Sequence, residues 1–186
     1  DIQPILDKHC VACHKPEKRE GKISLVADRN EWFSESYTAI VMNNQISDGN
    51  NKEGDRPPRT VGSSASRLMK TIDGSHYKVK LSAREYRKIQ LWIEGGANYA
   101  GTAGAGGTGE VAVDRGSINR VFAKRCSRCH KRGTKSLGWR MPSYRHYDHA
   151  VRHDLHLYNL TNPARSWLLL APLAKRAGGN GVCRES

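Results

Sequence analysis

The sequence contains little apolar and aromatic material. Of its 186 residues, 37% are hydrophobic and 7% aromatic, and only two are Phe. A chain of this length forms one or two small domains, and a domain of roughly 90 residues is marginal without a disulfide, a metal or a cofactor. The composition therefore predicts that a group from outside the polypeptide completes the interior.

The sequence also lacks long apolar runs. Crossing a bilayer takes about 18 or more consecutive apolar residues, and the longest stretch here, "WLLLAPLA" at 167–174, is short and contains Pro172. We therefore expect no membrane span. The sequence starts at Asp1 without Met and without a charged-then-apolar leader. We expect an exported protein, or a fragment of one, whose signal has been removed.

Acidic residues are too few to balance the basic ones. There are 18 Asp and Glu against 31 Lys and Arg, which gives a formal charge of +13. Such a charge suits nucleic acid, anionic lipid or an acidic protein partner. The basic residues are dispersed, however, and no aromatic side chains are spaced for stacking on bases. We therefore expect no nucleic-acid partner and a soluble surface with a positive bias.

Cysteine is scarce as well, and four of the five cysteines share one pattern. Two copies of Cys-x-x-Cys-His occur, formed by Cys10, Cys13 and His14 and by Cys126, Cys129 and His130. In this spacing two thiols can add to the two vinyl groups of one haem, and the adjoining His ligates the iron. Each copy follows a short amphipathic segment and precedes a Lys. The pattern predicts two covalently bound haems c, which would supply the missing apolar mass.

Two other roles of the paired cysteines are less well supported by the sequence. Paired knuckles that bind structural zinc usually lie about 15–20 residues apart, whereas most of a domain separates Cys13 from Cys126. A dithiol redox pair is typical of a βαβ context, which the sequence does not predict. The remaining Cys183 is expected to be a small buried residue, with a reactive or intermolecular thiol as the alternative.

The first predicted domain, residues 1–100, begins with a helix over "DIQPILDKHC". Ile2, Ile5 and Leu6 fall on one face of that helix, which leads directly into the first cysteine pair. A loop-rich middle follows. "SSASRLMKTI" then predicts a second helix, with Ser63 or Ser64 as its cap.

The strongest helix signal of the first domain is "SAREYRKIQLWIEGG". Ser82 and Glu85 have the spacing of a capping box, and Gly95 and Gly96 are typical of a helix end. The apolar stripe of this helix is predicted to be Tyr86, Ile89, Trp92 and Ile93.

A glycine-rich linker is predicted at 101–109. It contains a formal G-x-G-x-x-G at Gly104, Gly106 and Gly109. A dinucleotide fingerprint needs a preceding strand and a following helix, and here a predicted helix comes first. We therefore interpret this segment as a flexible connector.

The second predicted domain, residues 110–186, repeats the organisation of the first. "SINRVFAKRC" predicts a short amphipathic helix that runs into the second Cys-x-x-Cys-His. A His- and Arg-rich loop, "GWRMPSYRHYDHAVRHDLH", comes next. "NPARSWLLLAPLAKRAGG" then predicts a helical stretch bent at Pro172 and capped by Gly178 and Gly179. The sequence thus predicts a mainly α, loop-rich chain with two small haem domains in tandem.

The second axial ligand of each iron decides the chemistry. In the first domain the candidates are His76, Met42 and Met69. Met69 has helical spacing with apolar neighbours, so we expect it in the core, and we expect His9 at the surface. His76 lies in a loop between two predicted helices, from which a side chain can reach a haem. We favour His76 as the ligand, with a solvated loop histidine as the alternative.

The second domain offers four histidines and one methionine as distal ligands. They are His146, His149, His153, His156 and Met141. Met141 follows His130 by only 11 residues, a short path around a haem. We favour His156, then His153. Two axial His ligands make iron six-coordinate and lower its potential, which suits electron relay, whereas a five-coordinate iron would permit chemistry on a substrate.

Several stretches resemble a known family. "IQPILDKHCVACH", "SRLMKTIDGSHYKVKLS" and "LWIEGGANYAGT" resemble the cytochrome c-like domains of planctomycete secreted proteins. "NLTNPARSWLLLAPLAKRAGGNGVC" is similar to the segment after the second haem motif in hydrazine synthase alpha-subunit-like proteins. The resemblance implies two tandem cytochrome c-like domains and a haem histidine at His76. The active haem of that family uses a Tyr past its motif, whereas Lys18 and Thr134 stand at the matching positions here.

These observations predict an exported dihaem c-type cytochrome, periplasmic or extracellular. It would relay electrons to or from a redox partner protein, within a homo-oligomer, a filament or a larger assembly. The alternative is a haem enzyme subunit with one five-coordinate iron, acting in hydrazine-synthase-like nitrogen chemistry or on peroxide. The third hypothesis is a zinc-binding module without haem that binds an acidic partner.

Overall fold

The computed structural model describes residues 2–30, 33–47, 55–99, 115–127, 158–179 and 181. Its α-helices are α1 (Gln3–His9), α2 (Glu35–Met42), α3 (Arg67–Thr71), α4 (Ala83–Glu94), α5 (Arg115–Arg125) and α6 (Trp167–Leu170). Short 3₁₀ turns occur at Glu20–Lys22, Pro163–Arg165 and Lys175–Ala177. Within the described ranges, extended pairing consists of two isolated bridges, Arg29 with Ser34 and Asp73 with Lys80. The prediction of a mainly helical, loop-rich chain is confirmed.

Helix α1 forms where the sequence predicts it. A proline in its first turn, Pro4, has no amide hydrogen to leave unpaired there. Ile5 and Leu6 are buried, and the amide of Cys10 donates to the carbonyl of Leu6 at the end of the helix. The helix therefore delivers the first cysteine to the edge of a packed core.

Helix α4 is confirmed with both of its predicted ends. The Ser82 hydroxyl accepts from the amide of Glu85, and the Glu85 carboxylate accepts from the amide of Ser82 at 2.9 Å. Gly95 caps the other end, and Gly96 follows with φ +89°, in the left-handed region that favours glycine. Ile89 and Ile93 are buried as predicted. Tyr86 is 37% exposed, so its expected place in the apolar stripe is wrong.

The described core is built from the first hundred residues. Its buried members come from α1 to α4 and the connecting segments, namely Ile5, Leu6, Leu25, Ala39, Ile40, Leu68, Met69, Ile72, Ile89 and Ile93. Met69 is therefore a core residue, as expected. Cys10 and Val11 are half-buried and pack against this cluster, so the core extends to the start of the Cys-x-x-Cys-His turn.

Helix α2 lies in the segment that was expected to be loop. Ser34 caps it by accepting from the amide of Tyr37. Its buried residues include Glu35, Ser36 and Thr38. Because the buried side is largely polar, hydrophobic periodicity gives no signal for this helix.

The predicted start of the second helix is wrong. Helix α3 starts after Ser66, not at Ser63 or Ser64. The Ser66 hydroxyl donates to the carbonyl of Gly62 and accepts from the amide of Ser47. These bonds hold residues 62–66 in a turn.

The predicted bent helix near the end of the chain is also wrong. This stretch breaks into the 3₁₀ turn at Pro163–Arg165, the single turn of α6, and the 3₁₀ turn at Lys175–Ala177. Pro172 has no amide hydrogen to continue α6. Gly178 follows with φ +78°, which confirms the predicted glycine at an end.

Residues 158–165 pack on residues 28–35. The amide of Leu160 donates to the carbonyl of Arg29 at 2.7 Å, and the amide of Arg29 donates to the Thr161 hydroxyl at 3.0 Å. These contacts join part of the predicted second domain to the predicted first. The linker at 101–109 lies outside the described residues, so the division into 1–100 and 110–186 stays a prediction.

Candidate functional site

The first Cys-x-x-Cys-His forms a tight turn that continues from α1. The carbonyl of Cys10 accepts from the amides of Cys13 at 3.1 Å and His14 at 3.0 Å. Cys10 is half-buried and Cys13 is exposed. The turn therefore groups two thiols and an imidazole at the end of α1, whose buried residues are Ile5 and Leu6.

The thiol of Cys10 is a poor nucleophile in this environment. Burial, with a smaller contribution from the neighbouring Cys13, raises the pKa of Cys10 to about 11. The thiolate is the reactive form of cysteine, and redox-active Cys-x-x-Cys thiols have lowered pKa values. A protonated Cys10 therefore disfavours dithiol exchange at neutral pH.

His76 lies opposite His14. The two ring centroids are 6.0 Å apart, and the ring planes differ by 18°. Bonds from a metal to imidazole nitrogen are about 2.0 Å long, so two nitrogens on opposite sides of one ion lie about 4 Å apart. With the ring radius added at each end, the centroids of two such ligands are separated by roughly 6 Å. The distance between the centroids of His14 and His76 matches that expected for two axial ligands of one ion.

The electrostatics of His14 favour its neutral form. Burial is the main cause that lowers the pKa of His14, and the positive charge of His76 lowers it further. The backbone carbonyls of Glu20 and Ile23 oppose this shift. Neutral imidazole is the form that ligates metals.

The ring of His14 also has unused hydrogen-bonding capacity. Its Nδ1 is buried and forms no hydrogen bond of normal geometry among the residues that the structure describes, although the backbone carbonyls of Glu20 and Ile23 lie near the ring. Buried polar atoms are rarely left unpaired. Together with the facing His76, this atom indicates a ring shaped for a partner outside the polypeptide.

The backbone around His14 depends on one glycine. Gly21 has φ +65°, and a Cβ at that position would lie 3.9 Å from Cε1 of His14. That distance is ordinary contact, so the left-handed backbone and not the space favours glycine. The 3₁₀ turn that contains Gly21 therefore passes close to the imidazole.

A short loop between α3 and α4 positions His76. Asp73 bridges to Lys80 at the base of this loop, and the Asp73 carboxylate accepts from the amide of Ser75 at 2.8 Å. That hydrogen bond is the main cause that lowers the pKa of Asp73. The amide of Val79 donates to the carbonyl of His76 at 2.9 Å. The loop is therefore pinned on both sides of the histidine.

The neighbour of His76 faces solvent. Tyr77 is 87% exposed, and its ring meets the edge of the His76 ring at 4.9 Å. Tyr77 and Lys78 both have positive φ angles, 49° and 60°. Such backbone is uncommon for residues other than glycine, and this tight turn is what directs His76 inward to His14.

His9 is not the surface residue that was expected. Its side chain is 17% exposed, and Nε2 lies 3.3 Å from Oε1 of Glu85. The contact lacks hydrogen-bond geometry, since Nε2 has no hydrogen-bond partner among the described residues. His9 thus faces α4 and is not part of the His14–His76 pair.

The second Cys-x-x-Cys-His is described only at its start. Cys126 follows α5 and is half-buried. The other predicted site residues of this unit lie outside the described residues, namely Cys129, His130, His156, the alternative ligands Met141, His146, His149 and His153, and Cys183. Their roles stay predictions.

A buried acidic group was missed by the sequence reasoning. Glu35 is 2% exposed, and burial raises the pKa of its carboxyl while Ser24 and Arg165 oppose the shift. Ser24 lies near this carboxyl, but no hydrogen bond of normal geometry joins them among the described residues. The only local signal was the cap at Ser34, and the partner Arg165 is 130 positions away in the sequence.

The described part of the chain has neither a side-chain cluster for a metal nor a membrane-spanning helix. It holds no group of three or more His, Cys, Asp or Glu side chains arranged around a metal. It also has no helix long and apolar enough to cross a membrane. An iron in a porphyrin needs only two protein ligands, because the macrocycle supplies four. The facing pair of His14 and His76, beside Cys10 and Cys13, fits that demand.

Comparisons with known proteins gave no relative. Searches of protein-family models, of curated proteins and of solved structures found no match to this chain. The resemblance to planctomycete cytochrome domains therefore stays a prediction.

Proposed function

We propose that this chain is an exported dihaem c-type cytochrome that relays electrons. The observation that carries the proposal is the 6.0 Å separation of the His14 and His76 rings, next to a turn that presents Cys10 and Cys13. The described helices and loops are compatible with a small cytochrome c-like unit, whose first helix ends at the attachment turn. The second motif would form the second such unit.

The residues divide into two sets with the same roles. In the first, Cys10 and Cys13 hold a haem through thioethers, His14 is the proximal ligand and His76 the distal ligand. In the second, the corresponding residues are Cys126, Cys129, His130 and His156. A bound haem supplies one-electron redox chemistry. Two histidines per iron leave no position open for substrate and give a low potential.

The composition supports this assignment. The described core contains no Phe or Tyr among its fully buried members, and the sequence has only 7% aromatics. A porphyrin would supply a large apolar surface at the end of α1. The positive charge of +13 favours an acidic redox partner protein through steering. Assembly into a homo-oligomer or filament would extend the relay.

The test is a count of haems on the purified exported protein. A pyridine haemochrome assay and the intact mass should give two covalent haems per chain. Replacing Cys10 and Cys13 with Ala should remove one haem. Cys183→Ala, the matched control outside both motifs, should retain two. A colourless protein with the mass of the bare chain would contradict the proposal and favour the zinc module.

A further inference from the structure

Both ends of the stretch between Tyr99 and Leu160 meet at one place. The Tyr99 ring packs on Phe33 and Tyr37, with centroids 5.1 and 5.0 Å away, and the Arg29 guanidinium lies 6.0 Å from its centre. Leu160 donates to the carbonyl of the same Arg29. Two points 61 positions apart in the sequence thus contact one residue.

The returning segment is folded around a buried asparagine. Asn159 is 3% exposed. Its backbone N–H donates to the hydroxyl of Ser166 at 2.9 Å, and its side-chain oxygen accepts from the backbone N–H of Asn162 at 2.7 Å. The remaining group, Nδ2, donates to the carboxylate of Asp28 at 2.6 Å. Both polar atoms of this side chain are hydrogen-bonded, and one of these bonds crosses to residues 28–35.

A charge pair completes the contact. Arg165 Nη1 donates to Asp28 Oδ2 at 2.8 Å, and Nη2 lies 3.8 Å from the carboxylate of Glu35. The Asp28 side chain is 14% exposed and that of Glu35 is 3% exposed. Removing the cation from a buried pair leaves an uncompensated charge, which costs far more than loss of a surface pair. Arg165 therefore contributes strongly to holding the segment in place.

We propose that residues 158–165 form an intramolecular docking element for residues 28–35, and that Arg165 is the residue which secures it. The partner of this surface is the chain itself. Residues 100–157, which carry the second Cys-x-x-Cys-His, are then an insertion that leaves the first unit at Tyr99 and returns to it at Leu160. Residues 158–165 then belong to the packed unit of the first hundred residues and not to a separate second domain.

The docking element needs no haem, because each of its contacts is between polypeptide atoms. Its consequence for electron relay rests on the proposed function. If both motifs carry haem, the docking limits how far the second haem can move from the first. The entropic cost of closing the segment between Tyr99 and Leu160 depends only weakly on its length, since that cost grows with the logarithm of the number of residues.

The experiment cuts the folded chain between its two parts. A protease recognition sequence is placed within 101–109 of the full-length protein, which is cleaved under native conditions and analysed by size exclusion and native mass spectrometry. The two pieces should stay together, one copy of each. In Arg165→Ala we expect the dissociation constant of the pieces to rise by at least tenfold, and in Arg165→Lys by less. Arg176→Ala, an exposed arginine in the last 3₁₀ turn, should behave as the unmodified chain.

Each result has one reading. Separation of the unmodified pieces overturns the docking element, and equal behaviour of Arg165→Ala and Arg176→Ala overturns the role of Arg165. Circular dichroism before cleavage shows whether Arg165→Ala is folded; if it is not, Asp28→Asn, which retains the hydrogen-bonding shape, takes its place with the same expectation. Haem absorbance across the fractions distinguishes the two proposals. Colourless pieces that stay together contradict only the cytochrome proposal. Coloured pieces that separate contradict only the docking proposal.

Discussion

The imidazole of His14 faces the imidazole of His76 across 6.0 Å, at the end of the helix that carries Cys10. The two residues are far apart in sequence. α1 and its attachment turn position His14, and the pinned loop between α3 and α4 positions His76. This relationship leads to the most direct prediction about the iron.

If the chain is the proposed cytochrome, replacing His76 with Ala should change the coordination of one haem. Without its distal ligand the first iron becomes five-coordinate or takes water, so part of the visible and EPR signal should shift from low to high spin. That haem should then bind CO, whereas the unmodified protein should not. The control is His9→Ala, since His9 faces Glu85. An unchanged low-spin spectrum in His76→Ala would show that His76 is not a ligand.

Carbon monoxide and cyanide also separate relay from catalysis in the unmodified protein. Two six-coordinate haems with histidine ligands should be inert to both ligands over the time of a titration. The measurement is the visible difference spectrum of the reduced and oxidised protein. Tight binding at one haem would favour the enzyme alternative with a five-coordinate iron.

The thiol of Cys10 should react slowly in the haem-free chain. Its pKa of about 11 leaves little thiolate at pH 8, so the alkylation rate should rise about tenfold per pH unit until the pH nears that value. Peptide mass spectrometry after timed iodoacetamide treatment measures the rate. In denaturant the rate should level off near the ordinary thiol pKa of about 8.5. A fast reaction at pH 7 in the folded chain would revive a redox dithiol.

Loss of the α4 cap should destabilise the first unit. Ser82→Ala removes the hydroxyl that accepts from the amide of Glu85, and such a change costs about 1 kcal/mol. Urea unfolding followed by circular dichroism measures it. Ser64→Ala is the control, because Ser64 is exposed and lies outside every helix, and it should change the free energy of unfolding by less than about 0.5 kcal/mol. Equal effects of the two variants would contradict the role of the cap.

Glu35 should make stability depend on pH in an unusual direction. Burial raises its pKa in the folded chain above the ordinary 4.5, so the folded state binds this proton more tightly than the unfolded state. The resulting stabilisation is fully present below pH 4.5 and is lost as the pH rises through the higher folded pKa. The unmodified chain should therefore lose stability relative to Glu35→Gln over that window. Unfolding free energies measured at a series of pH values test this, and a difference independent of pH would contradict it.

Local signals in the sequence predicted α1 and α4 well. Apolar spacing predicted α1, and a capping box with a glycine end predicted α4; these signals act within a few residues. Helix α2 escaped prediction because its buried side carries Glu35, Ser36 and Thr38, which have no apolar period. Hydrophobic periodicity does not reveal a helix that buries polar side chains.

For the candidate site too, only the features that are local in the sequence could be predicted. The Cys-x-x-Cys-His motif is contiguous, so its turn could be read directly. His76 was favoured from its place in a loop, and its role as an iron ligand stays a prediction. The docking of Asn159 and Arg165 on Asp28 could not be foreseen, because hydrogen bonds across more than 130 positions leave no periodic trace.

The meeting of Tyr99 and Leu160 at Arg29 has a consequence for how such a chain can diversify. Because both ends of the segment between Tyr99 and Leu160 are held at Arg29, this segment can change in length at little cost in stability. Doubling the length of a flexible loop costs only about 0.6 kcal/mol. Related proteins could thus differ in the whole segment between these two residues while the contacts at Arg29 stay the same. In protein engineering, the same two positions could serve as the ends of an inserted domain.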